Sequence, residues 1–156
     1  MDARLLTLTA VLASTAVLAP TVAAEQVAPD VRNLKVTPTA FKALSEGGPV
    51  TLEGGGMVAF DLRDGARVTF TFRSVKSGRR EGGKCRPGKA KSVKKRCDLL
   101  GPVPGTMLYV AFSGHNEFRF SGRLDTGTLK PGTYRLVAKA AGTAARSSYT
   151  TFKIIK

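Results

Sequence analysis

The amino-acid sequence predicts an all-β fold, a single antiparallel β-sandwich of about seven strands that carries a long basic loop. Three observations favour this fold class. Apolar and polar residues alternate with a period of two from Ala66 to Arg73, which is typical of a strand with one buried face. Similar alternation recurs along the chain between turn-forming segments. No segment repeats its apolar residues at helical spacing over three turns.

Each strand is assigned by the alternate residues that share one of its faces. Arg63-Asp64-Gly65 separates the second strand from the third and is expected to form a hairpin turn, because Asp-Gly suits a tight turn. His115-Asn116 is expected to complete the turn after the fourth strand. The residues on one face of each strand are, in order, Leu34 and Val36; Val58, Phe60 and Leu62; Ala66, Val68, Phe70 and Phe72; Leu108, Val110 and Phe112; Phe118 and Phe120; Tyr134, Leu136, Ala138 and Ala140; Phe152 and Ile154.

The N-terminal residues 1–24 have the features of a secretory signal peptide. An apolar run covers residues 5–18, and Val22-Ala23-Ala24 supplies the small residues that a signal peptidase reads before Glu25. A membrane anchor is the alternative, but the run is shorter than the roughly 20 residues needed to span a bilayer. We therefore expect residues 25–156 to form one domain that is secreted or held in the cell envelope, with no membrane span after cleavage.

Positive charge is concentrated in one segment of the chain. The whole sequence has a formal net charge of +14, from 25 Lys and Arg against 11 Asp and Glu. Eleven of these cations lie between Arg73 and Cys97, where Glu81 is the only acid. The glycines of this segment exclude a helix, so we expect a long loop or an extended hairpin tip. The candidate anion-binding residues are Arg79, Arg80, Lys84, Arg86, Lys89, Lys91, Lys94, Lys95 and Arg96.

The two cysteines of the chain, Cys85 and Cys97, enclose most of this basic segment. In an oxidising compartment they most simply form a disulfide. The resulting ring would hold mutually repelling cations close together and so raise the local surface potential. A zinc site is the alternative, but only His115 could join the two cysteines as a soft ligand. We expect no metal and no cofactor.

The basic segment favours an anionic partner, such as a cell-wall or extracellular polysaccharide. Extracellular nucleic acid and anionic lipid headgroups are alternatives with the same charge. No aromatic residue lies between Ser74 and Gly105, so no base could stack there and sequence-specific recognition of nucleic acid is not expected. Charge runs are also often only solvated. A purely structural accessory domain without a specific ligand is therefore the second interpretation of the sequence.

Catalytic motifs are absent from the sequence. A Ser-His-Asp triad would need His115, which we expect in an exposed turn, and no G-x-S-x-G motif is present. Asp61 and Glu117 fall on faces that we expect to point outward, where a solvated charge is ordinary. We therefore expect a non-enzymatic protein, and keep a small secreted hydrolase or inhibitor with an unrecognised site as the third interpretation.

The segment Leu129-Lys130-Pro131-Gly132-Thr133-Tyr134 resembles the tyrosine corner of fibronectin type III domains, with spacing one residue shorter. In such corners the Tyr hydroxyl bonds to backbone a few residues upstream, so the resemblance implies a structural role for Pro131, Gly132 and Tyr134. Residues 31–156 resemble an uncharacterised immunoglobulin-like or fibronectin-like β module of secreted actinobacterial proteins. The resemblance also rests on the segment Asn116-Glu117-Phe118-Arg119-Phe120-Ser121-Gly122-Arg123-Leu124, the cysteine pair in a basic loop and the closing Phe152-Lys153-Ile154. That resemblance implies fold and compartment and no active site.

Overall fold

The computed structural model describes residues 30–92, 95–142 and 146–156, and every secondary-structure element in them is a β-strand. The expected signal peptide and the candidate Lys94 lie outside the described residues. In the described part, no helix is long and apolar enough to cross a membrane. The strands are β1 (Val31–Thr37), β2 (Ala40–Lys42), β3 (Val50–Thr51), β4 (Gly56–Leu62), β5 (Ala66–Glu81), β6 (Lys84–Pro87), β7 (Arg96–Ala111), β8 (Gly114–Phe120), β9 (Arg123–Leu124), β10 (Gly127–Thr128), β11 (Gly132–Ala140) and β12 (Ser148–Ile155).

These strands form two large sheets and one small one. The first has the order β1-β4-β8-β3, and the second runs β2-β12-β11-β5, with both β6 and β7 pairing with β5. Strands β9 and β10 pair separately. The all-β prediction is confirmed, but the pairing of β2 with β12 is parallel, so the larger sheet is mixed. The sequence predicted fewer strands because segments of two to four residues are too short to show alternation.

The core lies where the inner faces of the two large sheets meet. Phe60 of β4 packs edge-on against Phe70 of β5, with ring centroids 5.5 Å apart. Phe70 also meets Phe118 of β8 at 5.3 Å. Both Phe60 and Phe70 are fully buried, as the alternation predicts. Burying each such ring contributes about 1.5–3 kcal/mol, so these contacts hold the two sheets together.

The predictions of a hairpin at Arg63-Asp64-Gly65 and of a turn at His115-Asn116 are both wrong. Strand β4 pairs with β1 and β8, whereas β5 pairs with β6, β7 and β11, so Arg63-Asp64-Gly65 carries the chain from one sheet to the other. The connection from β7 to β8 also crosses between the sheets. His115 and Asn116 belong to β8, and the side chain of Asn116 accepts a hydrogen bond from the Phe112 amide at 2.8 Å. Asp-Gly and His-Asn do not distinguish a hairpin from a corner between sheets.

Strand β7 turns its more apolar face outward. Leu108 and Val110 share one face of β7 as predicted, but they are 63 and 68% exposed, and Phe112, which follows the strand, is 73% exposed. The alternate residues Met107 and Ala111 are buried instead. Both sets are apolar, so alternation alone could not decide which faces the core, and the pairing of β7 with β5 decides it.

Candidate anion-binding surface

The predicted basic segment forms a three-stranded projection at one end of the larger sheet. Strand β11 accompanies β5 only as far as Val75, whereas β7 pairs with β5 down to Arg79. Strand β6 pairs with the last residues of β5 from Gly78 to Glu81. We call residues 78–98 the basic tip. An extended hairpin was one of the two expected forms, and the alternative of a long loop is wrong for most of the segment.

The predicted disulfide is confirmed and joins the two strands that flank β5. Cys85 of β6 and Cys97 of β7 have Cα atoms 5.9 Å apart. The bridge passes over Gly78 of β5, which is buried beneath it. A Cβ added at Gly78 would lie 2.8 Å from Cys85 Sγ and 2.8 Å from the Arg86 carbonyl oxygen. The bridge therefore requires glycine at this position.

Gly78→Ala is expected to destabilise the basic tip by about 1–3 kcal/mol, because its methyl group would overpack against backbone and a disulfide that cannot move freely. Amide hydrogen exchange along β6 measures the effect and should accelerate in the variant. Ser77→Ala is the matched control, since Ser77 is exposed and points to the opposite face of β5. Exchange in the Gly78 variant that matches the control would contradict this packing.

Three arginines form a row across the face of the basic tip opposite the disulfide. In the strand register, Arg79 of β5 lies directly opposite Arg86 of β6 and directly opposite Arg96 of β7. Directly opposed residues point to the same side of a sheet, and neighbouring strands are about 4.8 Å apart. We call Arg86, Arg79 and Arg96 the arginine row. Like charges placed directly opposite each other destabilise a sheet, so packing does not account for the row.

The other predicted cations surround this row. Arg80 lies on β5, Lys84 on β6, and Lys89, Lys91 and Lys95 in the connection from β6 to β7. All eight described candidates are exposed. An open cleft of about 310 Å³ is lined by Arg79, Arg80, Glu81, Lys89, Lys91 and Lys95.

The two acids of the basic tip offset little of this charge. Glu81 lies 3.3 Å from Arg79, and both side chains are about half exposed, so solvent weakens the pair. Asp98 pairs at 3.1 Å with Arg135 of β11, which lies outside the basic tip. Arg86 and Arg96 have no ion-pair partner among the described residues. Exposed guanidinium groups with free donors are suited to carboxylate, sulfate or phosphate groups of a ligand.

Tyr134 makes the contact that is typical of a tyrosine corner. Its hydroxyl donates a hydrogen bond to the Lys130 carbonyl oxygen at 2.7 Å, four residues upstream. Its ring stacks on Phe152 with centroids 5.7 Å apart. Burial raises the pKa of the Tyr134 hydroxyl. Pro131 and Gly132 lie in the segment that this hydrogen bond spans, and Gly132 is the first residue of β11.

The structure also brings together a polar group that the sequence did not reveal. His115 Nδ1 lies 2.8 Å from Asp61 Oδ1, and Asn33 donates a hydrogen bond to Asp61 Oδ2 at 2.6 Å. Glu117 Oε2 is 3.9 Å from the other ring nitrogen of His115. The hydrogen bond from Asn33, followed by that from His115, lowers the pKa of Asp61 below its ordinary value of 3.8. The chain separates Asp61 from His115 by 54 residues, so only the pairing of β4 with β8 joins them.

The side chains around this polar group make contacts of their own. Ser113, the nearest serine in sequence, donates its hydroxyl hydrogen bond to the Arg63 carbonyl rather than to His115. In residues 30–92, 95–142 and 146–156, no group of three or more His, Cys, Asp or Glu side chains is arranged to hold a metal ion. The group acts as an exposed polar link between β1, β4 and β8.

Comparison with known proteins gives no relative from which a function could be carried over. Neither a family model, nor a curated protein, nor a solved structure matches the chain. The disulfide is compatible with an extracellular location. The basic tip is therefore interpreted from its own geometry and charge.

Proposed function

We propose that this protein is a secreted or cell-envelope module without enzymatic activity that binds an anionic extracellular or cell-wall polysaccharide through the basic tip. The arginine row carries the proposal. Three arginine residues lie directly opposite one another in the register of adjacent strands, an arrangement that lowers stability without a ligand. A chain of negative groups laid across the row would turn this repulsion into attraction.

The surroundings of the row support a polymer rather than a single small anion. Lys89, Lys91 and Lys95 line the adjoining open cleft, and all are exposed to solvent. A broad and open array of cations binds through summed electrostatic attraction, which favours a ligand with many charges. The absence of aromatic residues from Ser74 to Gly105 favours a polysaccharide over bases that must stack.

We further propose that the scaffold is a β-sandwich of immunoglobulin-like or fibronectin type III-like kind. The hydrogen bond from Tyr134 to Lys130 supports this assignment, because it reproduces the corner that such domains use. The signal-like sequence of residues 1–24 and the disulfide both support export.

Retention on immobilised heparin, with neutral dextran as the control matrix, tests the proposed function. The protein should be retained by heparin at about 50 mM salt and released by about 500 mM salt, because counterion release makes such binding steeply salt-dependent. The same pattern is expected on purified anionic cell-wall polysaccharide. If the protein eluted from the heparin and dextran columns at the same volume at low salt, the proposal would be contradicted.

A further inference from the structure

The outer face of the larger sheet continues the basic tip along the length of β5. Phe70 and Phe72 of β5 point into the core, so its odd-numbered residues point outward. Pairing of β5 with β11 is unbroken from Val68 to Val75, which keeps this alternation in register. Arg67, Arg73 and Arg79 therefore all lie on the outer face of one strand.

These three arginines are evenly spaced. Each lies six residues from the next, so successive positions are about 20 Å apart at roughly 3.3 Å per residue. The line from Arg67 to Arg79 is thus about 40 Å long. It begins over the core of the domain and ends at the arginine row.

Neighbouring strands add further cations to this face. Arg135 of β11 lies opposite Arg73, and Lys139 lies opposite Thr69. Outside the basic tip, none of the strand residues that the structure describes on this face is acidic. Outside the basic tip, the cations that the strands place on this outer face are Lys42, Arg67, Arg73, Arg135, Lys139 and Lys153.

The outer face of the other sheet is different. Its described strands carry the exposed Arg32 and Lys35 and the half-buried Arg119, but these cations are accompanied by Asp61 and Glu117. The two outer faces therefore differ in charge balance, and the unbalanced one is the face that continues the basic tip. Charge that served only solubility would not need to be concentrated on one outer face.

Contacts within the face also suit a polymer lying on it. Arg135 is held by Asp98 at 3.1 Å and stacks on the exposed ring of Tyr149 at 4.5 Å. Between the levels of Arg67 and Arg73, a shallow cleft of about 410 Å³ has Thr69, Thr71 and Val137 in its lining. Hydroxyl groups and an apolar floor between rows of cations are suited to the hydroxyls and ring faces of sugar units.

We infer that the outer face from Arg67 to Arg79 and the basic tip form one continuous track that binds a linear polyanion along β5. We call this surface the basic track. This inference rests on the proposed function and extends it, because it fixes the direction and length of the ligand. A ligand about 40 Å long would fill the track, whereas one of about 15 Å would fill only the basic tip.

Heparin oligosaccharides of two lengths test the basic track, one shorter than 15 Å and one longer than 40 Å in extended form, since about 3.3 Å per strand residue sets these limits. The track variant carries Arg67→Gln, Arg73→Gln and Lys139→Gln. The control variant carries Arg32→Gln, Lys35→Gln and Arg119→Gln, which remove the same charge from the other sheet. Unfolding midpoints equal to that of the unmodified protein verify that both variants are folded.

The track variant should bind the long oligosaccharide roughly 10²-fold more weakly than the control variant does, because three contacts of about 1 kcal/mol each are lost. The two variants should bind the short oligosaccharide within about twofold of each other, because the basic tip is intact in both. Equal affinity of the two variants for the long ligand, with both ligands still bound, would overturn the track and leave the proposed function standing. Failure of the unmodified protein to bind either ligand would overturn both.

Discussion

Replacing Lys84, Lys89, Lys91 and Lys95 with Gln is expected to weaken binding to heparin by roughly 10²–10³-fold. Each cation beside a strongly anionic surface contributes about 1 kcal/mol, and four such contributions amount to about 4 kcal/mol. All four side chains are exposed, so their loss should change the unfolding free energy by only a few tenths of a kcal/mol each. Titration of a fluorescent heparin fragment at physiological salt, about 0.15 M, measures the effect.

The matched control replaces Arg32, Lys35, Arg119 and Lys130 with Gln. Both variants have a formal net charge four units below the +14 of the unmodified chain. The control cations lie on the other sheet or in the loop before β11, so we expect less than a threefold loss of affinity, since residual long-range attraction is weak at physiological salt. Equal losses in the two variants would show that binding follows net charge and not the basic tip.

Phe70→Ala is expected to lower the free energy of unfolding by about 3–5 kcal/mol. Phe70 is fully buried and touches Phe60 and Phe118 of the opposite sheet. Its removal deletes apolar contact on both sides of the core and leaves a cavity that β-strands cannot close. Since a domain of this size has about 5–15 kcal/mol of net stability, the variant should be close to unfolding at room temperature.

Phe112→Ala is the matched control for the core substitution. It makes the same chemical change on a side chain that is 73% exposed, so we expect a change of no more than about 0.5 kcal/mol. Denaturant unfolding of both variants, with the midpoint compared at equal slope, measures the difference. Equal destabilisation by the two substitutions would contradict the assigned orientation of β5 and the exposure of Phe112.

Sequence alternation predicted the fold well where only one face of a strand is apolar. Phe70 and Phe118 are such cases, because a one-residue shift would bury polar or charged neighbours. It could not orient β7, where Tyr109 and Val110 belong to opposite faces and both are apolar. Turn residues also failed to reveal the connections, since Asp64-Gly65 suits a hairpin and a corner between sheets equally well.

The candidate site was predictable to the extent that it is local in sequence. Charge density and the spacing of Cys85 and Cys97 depend on a short stretch of chain, and they predicted the basic tip and its disulfide. The arginine row depends on the register of three strands, which no local pattern reveals. The link between Asp61 and His115, and the alignment of the basic track with the tip, likewise arise only from long-range pairing.

The salt dependence of heparin binding tests the proposed electrostatic site most directly. The logarithm of the association constant of the unmodified protein should fall linearly with the logarithm of salt concentration, because each neutralised ligand charge releases a counterion. In the variant lacking Lys84, Lys89, Lys91 and Lys95 the slope should be shallower by about three to four units, roughly one for each lost contact. Affinity that is independent of salt, or the same slope in both proteins, would contradict binding through the basic tip.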